Sequence, residues 1–269
     1  MSARELKIIS VAIFIIVFQL AELTVAKTFT IMGTPTKPFK MSTKKGISIE
    51  IITMVMQEMG IKDYKFRLVS AVKRAVKEAK SGRVEMLIGY SKKTERLAYL
   101  GYPDTSYRRI KWNFFIRKED QGKIKYDTFE DLKPYTIGVT GGVSYTKKFW
   151  EAENFLKFDY TTKNELQLRK LIAKRFDLVP LNTRSTLYEA KAAGILDKIS
   201  FLPKPLKDKL YFDPVCTNSE YFLPEKDENI TKEEKIKIFI EKYDEAIKKL
   251  EKNGTINKIY QKYGLEYKY

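Results

Sequence analysis

The sequence predicts an α/β fold in which strands and helices alternate and each sheet is mostly parallel and flanked by helices. Three observations carry that expectation. Short apolar runs that a sheet can bury, such as Val84 to Ile88 and Phe176 to Leu181, recur between stretches whose apolar residues fall four apart. These runs end in polar turns, Gly89-Tyr90-Ser91 after the first and Asn182 after the second, and strand ends of that kind are where α/β proteins hold ligands. The length of 269 residues, 43% of them hydrophobic, suits one large domain or two moderate ones.

Taken in order, Thr28 to Met32 reads as a strand that runs into Gly33-Thr34-Pro35-Thr36-Lys37-Pro38-Phe39, a loop stiffened by two prolines. From Gly46 the pattern turns helical. Ile47, Ile51, Val55 and Met59 recur at a spacing of four, Ile52 and Met56 widen the stripe, and Gly60 ends it. Tyr64 to Leu68 is the next strand, Val72 to Ala79 a helix, and Ser81-Gly82 a turn into the central strand. Five residues past Ser91 comes Arg96, whose planar guanidinium can grip a carboxylate with two parallel hydrogen bonds.

The apolar strand from Asn113 to Ile116 closes this first set, and 117–122 reads as a charged linker. A second set follows. Tyr135 to Val139 is a strand, and Thr140-Gly141-Gly142-Val143-Ser144 is a glycine-rich turn opening a helix with Phe149 and Trp150. The turn lacks the Gly-Lys-Ser/Thr ending of a P-loop. What it offers is a helix N-terminus with free N–H groups, with Ser144 as the N-cap. Leu166 to Ala173 is a helix, and the strand from Phe176 ends at Asn182. Ile199 to Leu202 and Lys209 to Val215 read as two strands with Pro203 and Pro205 between them. A long helix over Lys232 to Leu250 packs through Ile236, Ile238, Phe239, Tyr243 and Ile247, Asn253-Gly254 breaks it, and Ile256 to Tyr263 forms the last helix.

Composition removes whole classes of chemistry. Histidine is absent and Cys216 is the only cysteine, so Ser-His-Asp and Cys-His arrangements, a histidine base, an intrachain disulfide and a Cys/His zinc site are excluded. No metal or cofactor is expected. Cys216 reads as a small buried filler. The 51 Lys and Arg against 34 Asp and Glu give a formal charge of +17, but the lysines are spread along the chain and no nucleic-acid motif accompanies them. Residues 1–26 read as a signal peptide: Arg4 and Lys7, an apolar run from Ile8 to Leu20, and a cut after Ala26. An uncleaved anchor is the alternative. Either way the folded part is expected outside the cytoplasmic membrane.

The order Ser81-Gly82-Arg83-Val84-Glu85, apolar strand, Gly89-x-Ser91, Thr94-Glu95-Arg96 and Tyr102-Pro103 resembles the bacterial extracellular solute-binding proteins of family 3. The ending from Asn253-Gly254-Thr255 to Gly264 resembles that family's C-terminal helices. The resemblance implies a two-lobed, type II periplasmic-binding-protein fold, with 27–117 and 209–269 as the first lobe and 118–208 as the second, joined by a two-crossing hinge. It implies capture of a small carboxylate-bearing solute, foremost a polar amino acid, by a monomer that hands it to the membrane permease of an ABC importer. Arg96 is then the main anchor, with Gly89, Tyr90 and Ser91 from the first lobe and Val143, Ser144 and Asn182 from the second. Thr36 falls where many relatives carry an aromatic residue that stacks on the ligand, leaving Phe39 either as a wall or packed inward. Many relatives place an aspartate at the position of Asn182 to hold an α-ammonium, and the neutral amide here leaves room for another small carboxylate.

Two further readings satisfy the same residues. An enzyme on this scaffold, as in dehydratase relatives, needs a general acid or base, for which Glu95, Glu50 and the lysines are the candidates. A ligand-sensing module without an importer needs nothing more than the receptor has.

Overall fold

The computed structural model describes residues 27–141, 143, 145–161, 166–225 and 228–267. The expected signal peptide lies outside the described residues, among which no helix is long and apolar enough to cross a membrane. Two five-stranded sheets organise the chain. In the first, β1 (Phe29–Gly33), β2 (Tyr64–Leu68) and β3 (Met86–Leu87) are parallel, and β10 (Val215–Cys216) lies antiparallel between β3 and β4 (Leu100–Gly101), giving the order β2-β1-β3-β10-β4. In the second, β6 (Thr136–Thr140), β7 (Lys157–Thr161) and β8 (Leu178–Asn182) are parallel, and β5 (Arg108–Arg117) runs antiparallel to β8 and to β9 (Ile199–Tyr211) in the order β7-β6-β8-β5-β9.

Most helices form where the spacing predicts, although the helix over Thr183–Ala192 was not expected. Helix α1 (Ile47–Glu58) buries Ile47, Ile51, Ile52, Val55 and Met56 and stops at Gly60, which takes the left-handed conformation that glycine reaches without a Cβ clash. Helix α2 (Val72–Lys80) leads into β3. The long α6 (Lys232–Lys252) starts in a capping box, Thr231 and Glu234 bonding each other's backbone N–H. It buries Ile236, Phe239, Tyr243 and Ile247 against β1 and α1, together with Tyr260 from α7 (Thr255–Lys262). Each such fully buried Ile or Phe contributes about 1.5–3 kcal/mol relative to exposure. Ile238, expected to pack, faces solvent instead because it sits off the stripe. The second sheet has its own core of Phe114, Ile137, Val139, Phe149 and Leu178.

The crossings between the sheets lie in 102–107 and 212–214, not at residues 117 and 208–209. The apolar run Asn113 to Ile116 reads as the first lobe's last strand, but it is the far half of β5, hydrogen-bonded to β8 and β9 in the second sheet. Likewise the two strands expected on either side of Pro203 and Pro205 are one strand, β9. It is an edge strand with a register shift opposite Asn113, and an edge tolerates prolines that a central strand does not. Cys216 is buried in β10, where burial pushes its thiol pKa up.

Candidate functional site

Between the sheets lies a cleft of about 550 Å³. Its first-lobe wall is the end of β3: Gly89, Tyr90, Ser91 and, on the short helical turn Thr94–Arg96, the predicted Arg96. The guanidinium is fixed from two sides. Its Nη1 donates to the Ser91 carbonyl at 2.8 Å, and its plane lies over the Tyr90 ring at 5.3 Å. Ser91 is held in turn by the Tyr102 hydroxyl, which donates to the same carbonyl at 3.0 Å. Burial pushes the Tyr90 hydroxyl up to about 12, so it is neutral at any physiological pH.

The back of the cleft is a two-stranded ribbon. Arg108, Ile110 and Trp112 alternate on one face of β5 and pair with Tyr211, Lys209 and Lys207 of β9, and all six line the cavity. Sequence reasoning missed this wall. The alternation was present in Arg-x-Ile-x-Trp and Lys-x-Lys-x-Tyr, but Arg108, Ile110, Trp112 and Lys207 lay outside the strands that the apolar runs suggested.

Behind Gly89 sits a second layer of charge. Lys40 is only 2% exposed and donates to the Ile88 carbonyl at 3.1 Å. Arg108, 4% exposed, packs its guanidinium on the Phe39 ring at 4.1 Å. Phe39 is therefore wholly buried and supports an arginine; it is not a wall of the cleft. Gly89 is what makes room: a Cβ there meets Arg108 Nη1 at 2.4 Å, and its φ of +75° favours glycine. Asp213 is the carboxylate beside these cations. It accepts from Gly89 N–H at 2.7 Å and from the Tyr243 hydroxyl at 2.8 Å, and burial outweighs those bonds to raise its pKa. The Gly89 N–H, expected to serve a ligand, is thus already taken.

The second-lobe side differs from expectation. Val143 N–H turns back to the Thr140 carbonyl at 3.4 Å and its side chain packs against the core, so Val143 does not line the cleft. Ser144 lies outside the described residues. The cap of α3 (Lys147–Glu151) is Thr146, whose hydroxyl accepts from Phe149 N–H at 3.2 Å, and Tyr145, Thr146 and Lys147 reach the cavity. Asn182 lines it as expected and also caps α5 (Thr183–Ala192), its side-chain oxygen accepting from Ser185 N–H at 3.0 Å. Thr36 lines it too, held by a short antiparallel bridge to Lys40. A neighbouring hollow of about 470 Å³ shares Thr36, Lys40, Trp112 and Asn182 and is bordered by Glu189. Among the described residues that line the main cleft there is no Asp or Glu.

The fold has counterparts among solved structures. The ligand-binding core of GluR0 from Nostoc punctiforme, in complex with L-glutamate, is 19% identical with a TM-score of 0.63, covering 87% of this chain and 98% of that one. The second substrate-binding domain of GlnP from Lactococcus lactis, in an open conformation, is 19% identical with a TM-score of 0.64, covering 88% and 94%. A histidine kinase sensor domain with similarity to periplasmic binding proteins is 18% identical with a TM-score of 0.63, covering 89% and 98%. At these identities the likeness shows the fold, which is the two-lobed type II periplasmic-binding-protein architecture. No curated protein matches the sequence. The model of the bacterial extracellular solute-binding proteins, family 3, matches residues 30–266, nearly the whole described chain, and the chain belongs to that family.

Proposed function

We propose that the protein captures a small carboxylate-bearing solute in the cleft by hinge closure and presents it, outside the cytoplasmic membrane, to the permease of an ABC importer. Arg96 carries the reading. It is a guanidinium pre-set by Ser91 and Tyr90 on one lobe, in a cavity that Thr146 and Asn182 of the other lobe complete. Two chain crossings between the lobes supply the hinge. The similar GluR0 core in complex with L-glutamate supports a small amino-acid-sized solute. In this cleft, though, the Asn182 oxygen already serves a helix cap, and no described carboxylate lines the wall to hold an ammonium. What defines the solute is therefore its carboxylate.

Of the acid–base candidates, the two carboxylates do not line the cleft, Glu50 being engaged by Lys262 and Tyr263 and Glu95 exposed beside Lys93, whereas Lys40, Lys93, Lys147, Lys207 and Lys209 do. A sensor role uses the same site, and the similar kinase sensor domain favours keeping it as the second reading. A thermal-shift screen with amino acids, dicarboxylates and other small acids tests the proposal, because a ligand of the native state raises the midpoint. The expected result is a rise with at least one acid that is lost in Arg96→Ala. Absence of any shift, or a shift that Arg96→Ala leaves intact, contradicts it.

A further inference from the structure

The cleft holds more positive charge than one carboxylate requires. Arg108 is the clearest case. It is 96% buried, yet its Nε and Nη1 have no hydrogen-bond partner among the described residues, and it lines the cavity. A buried guanidinium without partners is costly, and native structures leave such donors unmet only where something else meets them. Phe39 covers one face of its plane and Nη1 packs on Gly89, so Nε and Nη1 are closed off and Nη2 is the nitrogen left to meet a ligand in the cavity. Lys40 stands next to it: Arg108 Nη1 and Lys40 Nζ both lie within 3.3 Å of the space beside Gly89, and burial and then the Arg108 charge hold the lysine's pKa down. Asp213, whose oxygens accept from Gly89 N–H and the Tyr243 hydroxyl, offsets part of this charge. Lys207 and Lys209, on the facing strand, extend the positive wall.

Arg96 and Arg108 are also well placed to act on one molecule. Arg108 abuts Gly89, and Arg96 is bonded to Ser91, two residues on. In extended chain those anchor points lie about 7 Å apart. That is a span a short dicarboxylate can bridge.

Resting on the receptor reading above, we infer that Arg108 and Lys40 form a second anion subsite in the cleft, so that the solute is a compact acid with two anionic groups, one on Arg96 and one on Arg108 and Lys40. Either a second carboxylate or a phosphate supplies that chemistry.

Calorimetric titration of the whole protein separates the possibilities. The probes are glutarate, its monoamide glutaramate, and phosphoglycolate, each against wild type, Arg108→Gln, Lys40→Met and Arg96→Ala. The expected result is that glutarate or phosphoglycolate binds at least about tenfold tighter than glutaramate, as a charge-assisted pair in a buried site should give. That preference should shrink in Arg108→Gln and in Lys40→Met, while Arg96→Ala loses all three acids. Which dianion wins identifies the second group. Glutaramate binding as tightly as both dianions, or a preference untouched by both variants, overturns the second subsite and leaves the receptor reading standing. Absence of binding by all three acids overturns this inference alone, and binding indifferent to Arg96→Ala removes the receptor reading with it. Should Arg108→Gln fail to fold, the wild-type preference and Lys40→Met decide.

Discussion

Gly89 shows how one backbone position organises the site. Its left-handed φ turns the chain at the end of β3, its N–H fixes Asp213, and its missing side chain is the space that the Arg108 guanidinium fills. Gly89→Ala should therefore destabilise the protein by about 1–3 kcal/mol, from strained backbone and overpacking together, read as a lower denaturation midpoint. Lys40 gives a pH prediction. Burial first, then Arg108, holds its pKa well below the ordinary lysine value. Between that lowered pKa and the ordinary one, the unfolded chain binds more protons than the folded chain, so stability rises with pH through the window. Wild type should gain on Lys40→Met as pH climbs toward the ordinary lysine pKa of about 10.4. A difference between the two proteins that stays flat across that range contradicts a strained ammonium at Lys40.

At the scale of elements, the legible parts were those with long periodicity or a self-contained apolar run. The stripe of α1, the strand Tyr64–Leu68 and the capped α6 stand close to where the spacing put them. The ribbon of β5 and β9 was legible only in pieces, because the cationic and aromatic stretch from Arg108 to Trp112 and the prolines of the edge strand read as loop. Arg96, Ser91 and Asn182 could be named from the turn that follows each strand and Thr36 from the family resemblance; Lys40 and Arg108 could not, since burial of a charge is a tertiary fact. Helix α6 then explains how the crossings are held. Asp244 accepts from Asp104 N–H at 3.0 Å, Thr105 N–H at 2.8 Å and the Thr105 hydroxyl on the first crossing, while the adjacent Tyr243 bonds Asp213 on the second. Asp244→Ala leaves those donors unmet and should cost about 2–4 kcal/mol, measured by chemical denaturation. A change under half a kcal/mol, about the scale of a surface substitution, would show that the tether is not structural.

Across the whole molecule, the lobes meet beside the cleft as well as through the crossings. Arg184 of α5 donates to the carbonyls of Glu266 at 3.0 Å and Tyr267 at 2.7 Å and lies over the Tyr260 ring, joining the second lobe to the C-terminal end of the first. Arg184→Ala should favour a more open molecule, seen in small-angle scattering as a larger radius of gyration without ligand and a larger contraction when ligand is added. An unchanged radius would mean that the clasp does not set the lobe angle.

The central claim is that a small acid sits between the lobes against Arg96. Trp112 lines the cleft and Trp150 does not, and these are the two tryptophans of the chain. Tryptophan fluorescence of Trp150→Phe therefore reports on the cleft alone, and titration with the acid that gives the largest thermal shift tests the claim most directly. A saturable change that disappears when Arg96→Ala is added is the predicted result. A signal that stays flat while the acid still raises the melting midpoint would place the ligand somewhere other than this cleft and contradict the claim.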